Sequence, residues 1–327
     1  MKILFLFCFI LICGDMLSKS PYQNSPASFL LPDVMAEHSR MFAPGLVSTG
    51  LDETGGVFSP KYDEFYYTVR YREYSAIVYI RYEGGVWRHP QVVSFSGEYR
   101  DEDPFISSDG KRLYFSSTRP VNGEEDEGVW NLWYVKRNGS QWGEPTCIVI
   151  DTTRHERHPT VSDGGALFYY ADYGSNRVSF DFDHSSIYMV ELQHQGELSS
   201  SAARVVISSD GSDYSPVISS NGRLLFFASN REGGKGGSDI YFSHKNEEGE
   251  WEKEQNAGRL VNSSYSTHYP VFTPDNEILF FSGNRRIRVP LNDRLTYSFL
   301  RNSALGYGNG ANNIYYIDLD LVTSKTE

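Results

Sequence analysis

Three of the eight histidines in this sequence fall in short polar stretches that each run into a proline. His155 and His158 stand in "RHERHP" and His268 in "STHYP", where Tyr269 precedes the proline. Two further stretches of the same form, "YRDEDP" and "GSDYSP", supply Asp101, Asp103, Asp213 and Tyr214. Imidazole nitrogen and carboxylate oxygen are suitable ligands for zinc or manganese. Paired carboxylates can also do acid–base work on a glycosidic bond. Asp103, His158, Asp213 and His268 are therefore the candidate catalytic centre, and His158 and His268 the candidate ligands of a divalent metal. The alternative needs no cofactor: the same groups pair and hydrogen-bond among themselves, satisfying one another.

The elements that must position these residues are set by an internal repeat. "DPFISSDGKRLYFSSTR", "HPTVSDGGALFYYADY", "SPVISSNGRLLFFASNR" and "YPVFTPDNEILFFSGNR" share one grammar, and "GVFSPKYDEFYYTVR" is a looser copy before them. Their prolines, Pro104, Pro159, Pro216 and Pro270, are 55, 57 and 54 residues apart. In each unit a short apolar strand meets a tight turn of Asp, Asn and Gly, and a second strand is rich in aromatics. A third strand follows a variable gap ("IVY", "LWY", "IYM", "IYF", "IYY"), and a Gly-containing turn with a Trp opens a fourth in "YEGGVWRHPQVV" and its counterparts. Four short antiparallel strands repeated in a ring make an all-β propeller, whose closure hides the sheet edges.

The grammar resembles the TolB-type β-propeller, built from WD-repeat-like units of the form Pro-x-Phe-Ser-Pro-Asp-Gly-Lys. The resemblance spans roughly residues 42 to 321 and implies a periplasmic scaffold that docks partners at one face of the ring. The fifth unit has no fourth strand after Asp320, whereas "MFAPGLVSTG" (Met41 to Gly50) lacks the three that should precede it. Joined, they complete one blade. Five blades closed by the N-terminal segment are expected over residues 41–321; six, the usual TolB-like number, would require an unrecognised unit.

Meander topology sorts the loops. Turns between strands one and two, and between three and four, share one face and are short. The loops between strands two and three share the other face with the crossovers into each next blade, and vary. Binding usually sits on such variable loops. Asp101, His155, Tyr214 and Tyr269 rim the channel mouth on that face, with Glu53 in the matching place before the first unit. Arg70, Arg119, Arg231 and Arg285 end the second strands, with Tyr173 in the third unit, and such recurrence points to architecture. One unit breaks the pattern: "RRIRVPLNDRLTYSFLRNSALGYGNGAN" carries Arg285, Arg286, Arg288, Arg294 and Arg301 beside Tyr297, Phe299 and Tyr307. A basic, aromatic flap over the mouth suits an anionic ligand or a glycan. It reads also as a solvated excursion.

The glycines of "SNREGGKGGSDIY" could be mistaken for a phosphate loop, but a third blade strand follows them where a helix N-terminus would be required. A G-x-S-x-G elbow is absent, and "SSDG" at Ser107 lacks the Thr-Trp of a sialidase aspartate box.

Thirty basic residues against 42 acidic ones leave a formal charge of −12, which argues against nucleic acid as a partner. Lys2 and the apolar run from Ile3 to Ile12 match a secretory signal over residues 1–14, followed by a flexible segment over 15–40. Cys13 before Gly14 is a candidate lipidation site; Cys8 lies within the signal, which leaves Cys147 with no disulfide partner. The expected protein is exported and monomeric, in the periplasm or associated with the outer membrane, where it binds an envelope protein or glycan and touches the membrane at most peripherally or by a lipid. A short C-terminal tail is expected over residues 322–327.

Overall fold

The computed structural model describes residues 25–32, 37–121, 128–151, 154–172, 185–193, 198–205, 207, 209, 211–286 and 296–324. They form five small antiparallel sheets. After a two-residue strand β1 (Arg40–Met41), blade one comprises β2 (Asp52–Phe58), β3 (Glu64–Tyr71), β4 (Tyr74–Glu83) and an outer strand in two pieces, β5 (Val86–Trp87) and β6 (Gln91–Val92). Blade two repeats this with β7 (Asp101–Ile106), β8 (Arg112–Ser117), β9 (Asn131–Asn138), β10 (Gln141–Trp142) and β11 (Thr146–Ile148). Blade three is β12 (His155–Val161), β13 (Ala166–Asp172), β14 (Ser186–Glu191) and β15 (Ala203–Arg204). Blade four is β16 (Asp213–Ile218), β17 (Leu224–Ser229), β18 (Asp239–His244) and β19 (Gln255–Asn256). Blade five is β20 (Thr267–Phe272), β21 (Ile278–Gly283) and β22 (Asn313–Asp318), completed by β1. The protein is a β-propeller of five blades, not six.

The seam is closed as the sequence predicts, by pairing the first strand with the last. Arg40 opposes Tyr316 and Met41 opposes Tyr315, and the Phe42 amide donates to Ile314 O at 2.8 Å. Phe42 is wholly buried against Phe58 and Phe65 of blade one and Phe280 and Tyr316 of blade five, with ring centroids 4.5–6.1 Å away. One side chain thus joins both sides of the closure. The aromatic β3, β8, β13, β17 and β21 run through the middle of their sheets and place Phe65, Phe115, Phe168, Phe227 and Phe281 almost without solvent contact between neighbouring blades.

Neighbouring blades are also tied near the axis by hydroxyls. Ser282 Oγ accepts from the Gly55 amide, Thr68 Oγ1 from Asp103 and Ser116 Oγ from His158, at 2.8–3.1 Å. On the opposite face, the Asp163 amide donates to Ser220 O and Asn276 Nδ2 to Ser220 Oγ, both at 2.8 Å. Short turns there serve the ring.

The segment expected as a flexible 15–40 is packed in part. A 3-10 turn at Pro26–Phe29 buries Ala27 completely and Leu31 nearly so, and Pro26 O accepts from Trp87 Nε1 at 3.1 Å. Phe29 stacks on Tyr82. Ala27 and Leu31 explain the docking, since leaving them in water costs more than ordering a short turn, while Phe29 stays largely exposed. The signal region and Cys13 lie outside the described residues. No helix among those described is long and apolar enough to cross a membrane.

Candidate functional site

Each innermost strand carries one bulge, between Thr54 and Val57, Glu102 and Phe105, Arg157 and Thr160, Tyr214 and Val217, and His268 and Val271. At each bulge the third residue of the polar stretch turns left-handed: Gly55 at φ +59°, Asp103 at +60°, His158 at +57°, Ser215 at +50° and Tyr269 at +54°. Four of these have a β-carbon, and that conformation costs each about 1–3 kcal/mol. Proline follows directly in those four blades, at a place where the extra residue has already left the ladder and no amide is needed. The prolines that mark the repeat therefore mark a device that re-aims side chains toward the axis.

The bulges of blades one, two, three and five assemble a polar cluster. Arg70 Nη2 and Arg157 Nη2 both donate to Glu102 Oε2. Arg70 also donates to Thr54 Oγ1 at 2.8 Å and to Tyr269 OH at 3.0 Å, and its guanidinium lies 5.0 Å from the Tyr269 ring centre. Asp103 accepts from Ser116 Oγ at 3.0 Å, with Arg157 Nη2 at 3.4 Å and His158 Nδ1 at 3.5 Å. His268 Nε2 donates to Asn312 Oδ1 at 3.0 Å, and Asn312 Nδ2 to Asp52.

Burial pushes both acids up, but the two guanidinium groups outweigh it. Arg70 and Arg157 hold the Glu102 carboxyl below its ordinary range, and Arg157, His158 and Arg70 do the same for Asp103. Burial and then Arg70 push the His268 imidazole down to about 4, so it is neutral at ordinary pH. The cluster sets the two carboxylates of Glu102 and Asp103 against the guanidiniums of Arg70 and Arg157. Asp103 Oδ1 and His158 Nδ1 face each other, and neither they nor Glu102 Oε1, His158 Nε2 and the Tyr170 hydroxyl hydrogen-bond to any other group. Toward the turn face the axis becomes apolar, with Val57, Phe105, Val161, Val217 and Phe272 from the five blades around a cavity of about 50 Å³.

Of the four candidate catalytic residues, Asp103 and His158 come together and His268 stands beside Tyr269, with ring centres 4.7 Å apart. Asp213 is elsewhere: Oδ1 accepts from Arg231 and Oδ2 from Ser209, which clamps it into its own blade. Asp101 is held likewise by Arg119 at 2.8 Å. His155 Nδ1 accepts from the Trp130 amide, and Tyr214 meets Tyr170 edge to face. Among the described residues no group of three or more His, Cys, Asp or Glu could hold a metal ion. Arg286 is exposed and pairs with Asn309; Arg288 and Arg294 lie outside the described residues.

The recurrent arginines divide into two kinds. Arg119, Arg231 and Arg285 lie two residues beyond Ser117, Ser229 and Gly283, which oppose Asp101, Asp213 and Thr267. Each lies over aromatics of its own blade, such as Phe115, Tyr241 and Tyr315, and donates to a carbonyl of the crossover entering that blade (Phe95, Ile207 and Val261). Arg70 is only one residue beyond Val69, which opposes Glu53. A one-residue offset turns a strand side chain to the other face, and Arg70 points to the axis. It belongs to the axial cluster and is not equivalent to the other three, although its spacing suggested that it was. Tyr170 was missed too. It stands opposite Arg157, where the other blades carry Thr68, Ser116, Ala228 and Ser282, and that departure was its signal.

Two loops complete the face. In the blade-four hairpin the Lys235 and Gly236 amides donate to Asp239 at 2.7 and 3.1 Å, so those amides serve the turn itself. In blade five, helix α1 (Tyr297–Leu305) begins at the Thr296 cap and has no buried residue. All five exposed tyrosines among the described residues lie at this variable face, Tyr71 and Tyr74 at the strand ends of the blade-one hairpin, Tyr99 in a crossover and Tyr297 and Tyr307 in and beyond α1, joined by Leu51, Leu300 and Leu305.

No protein family and no curated protein matches the sequence. Solved structures do. A thermostable family-43 glycoside hydrolase superposes at TM-score 0.52 over 84% of this chain and 91% of that one, with 13% identity. A family-43 endo-arabinanase from Bacillus licheniformis gives 0.51 over 84% and 94%, with 11% identity. TolB from Acinetobacter baumannii gives 0.46 over 81% of this chain and 54% of that one, with 15% identity, so this chain spans about half of it. At such identity the likeness is one of fold.

Proposed function

We propose that this is a non-catalytic propeller, exported to a bacterial cell envelope in the manner of TolB-like proteins, that binds a protein or glycan partner on its variable loop face. The observation that carries the reading is the sidedness of the exposed tyrosines. Tyrosine supplies large contact area at little entropic cost and is enriched where partners meet. The axial cluster supports the reading from the other side, because Glu102 and Asp103 are both committed to guanidinium groups and neither is poised as a general acid. Incorporating a photo-crosslinking residue at Tyr71, Tyr74 or Tyr297, and at Val86 or Lys111 on the turn face, tests it in envelope extracts. Adducts confined to the loop-face positions are expected. Adducts from both faces alike, or from neither, overturn the reading.

A second reading, a glycoside hydrolase or polysaccharide lyase with a His/Asp centre, draws on Asp103 Oδ1 and His158 Nδ1, which face each other at 3.5 Å at the axis and hydrogen-bond to no other group. Turnover of any member of a polysaccharide panel, lost in Asp103→Asn and His158→Ala, would establish it over the first.

A further inference from the structure

Helix α1 is unusual in this fold. It has nine residues, a length that is marginal in water without packing, yet none of its side chains is buried on the propeller. What holds it is local. Thr296 Oγ1 accepts from the Phe299 amide at 3.2 Å, and Asn309 Nδ2 bridges Ala304 O and Gly50 O, both at 3.1 Å. Gly50 is needed there, because a β-carbon would come within 2.1 Å of Leu305 O. The helix is thus fixed by its ends, and along its sides only Phe299 is half-buried while the other residues are exposed. Tyr297, Leu300, Arg301 and Ala304 follow the i, i+3, i+4, i+7 spacing of one helical stripe, flanked by Leu305. Tyr297 is 83% exposed, Leu300 51% and Leu305 65%.

We infer that α1 is a docking helix, and that its occupant is a protein surface with an apolar groove and an acidic rim. This rests on the loop-face reading above and says which partner that face takes. The leucines favour protein over glycan, since a branched aliphatic chain offers no flat face to a sugar ring but fills a groove between apolar side chains. Charge sets the rim. Arg301 lies within the stripe and Arg286 pairs with Asn309 at its base. Among the described residues of the 284–313 insertion, Arg286 and Arg301 are exposed and none is acidic, in a chain of net charge −12. Acidic partners are drawn to this flap and repelled by the remainder of the surface, which orients the encounter.

The test is selection of random 16-residue peptides from a display library against the full chain, followed by titration of the enriched peptides. Peptides of net negative charge with apolar residues are expected. Their binding should weaken about tenfold or more in Leu300→Ser and Leu305→Ser and in Arg301→Glu, and should fall with added salt. These side chains are exposed, so the thermal melting curve should not move. Selected peptides that are neutral or basic, or that bind the three variants unchanged, overturn the inference. So does salt-sensitive binding of polygalacturonate, or of phosphatidylglycerol vesicles, that is lost in Leu300→Ser while no peptide binds. If crosslinks at Tyr71 and Tyr74 persist in the α1 variants, the loop-face reading stands and only the role of α1 fails.

Discussion

Arg70 of blade one and Arg157 of blade three donate to the same oxygen of Glu102 in blade two. Three blades therefore meet at one carboxylate that is 1% exposed. Removing its charge leaves two guanidiniums with Asp103 as the one remaining carboxylate between them. Glu102→Gln should cost about 3–5 kcal/mol, the range for breaking a buried ion pair from one side. Arg70→Met, whose partner keeps Arg157, should cost less. Chemical denaturation of the two variants checks the order, and equal small losses would show that the cluster is not structural.

The blade-three carboxyl Glu156 gives a pH signature. It is 1% exposed, with one amide donor from Asp151 at 3.0 Å, and burial, with the Asp151 charge, raises it from 4.5 to about 8. Below 4.5 the group is protonated folded or unfolded and has no effect. Between 4.5 and about 8 only the unfolded chain ionises it, so the folded state loses stability as pH rises. Glu156→Gln should remove that slope. Melting temperatures at about pH 5 and about pH 8 should converge in the variant relative to the wild type. Parallel slopes in the two proteins would refute it.

Phe42 closes the ring, and Phe42→Ala should lower stability by about 3–5 kcal/mol, as for a large buried aromatic. Because the residue sits at the seam, amide exchange should quicken first in β1 and β22. Uniform loss across all blades would argue against a local seam.

In the blade-four hairpin, Asp239→Ala removes the acceptor for Lys235, Gly236 and Asn256. The expected loss is about 1–3 kcal/mol. Inorganic phosphate should not raise the melting temperature of the wild type. A phosphate-dependent rise abolished in Gly236→Ala would restore the phosphate-loop interpretation.

Much of the fold was legible because its period is written in chemistry that recurs: Pro104, Pro159, Pro216 and Pro270 mark the bulges, and the Asp-Gly and Asn-Gly turns mark the hairpins. Even the seam could be read, from a strand missing at one end and extra at the other. The site was legible only in part. Asp103, His158, His268 and Tyr269 were found because they precede the prolines. Arg70 was misplaced because arginines at nearly equal spacing looked equivalent, and register, which decides the face, depends on pairing that a sequence does not display. Asp213 looked like its neighbours but is claimed by Arg231, a partner 18 residues away. The docking of residues 25–32 was hidden for a similar reason, since its partners Tyr82 and Trp87 lie far along the chain.

That docking has a geometric consequence. Trp87 and Tyr82 belong to the hairpin end on the turn face, and β1 then rises along blade five toward the loop face. Among the described residues, the chain thus packs first against the turn face at Pro26–Phe29 and only then joins blade five through β1. The full depth of the blades separates that docked segment from the tyrosine-bearing surface on the loop face.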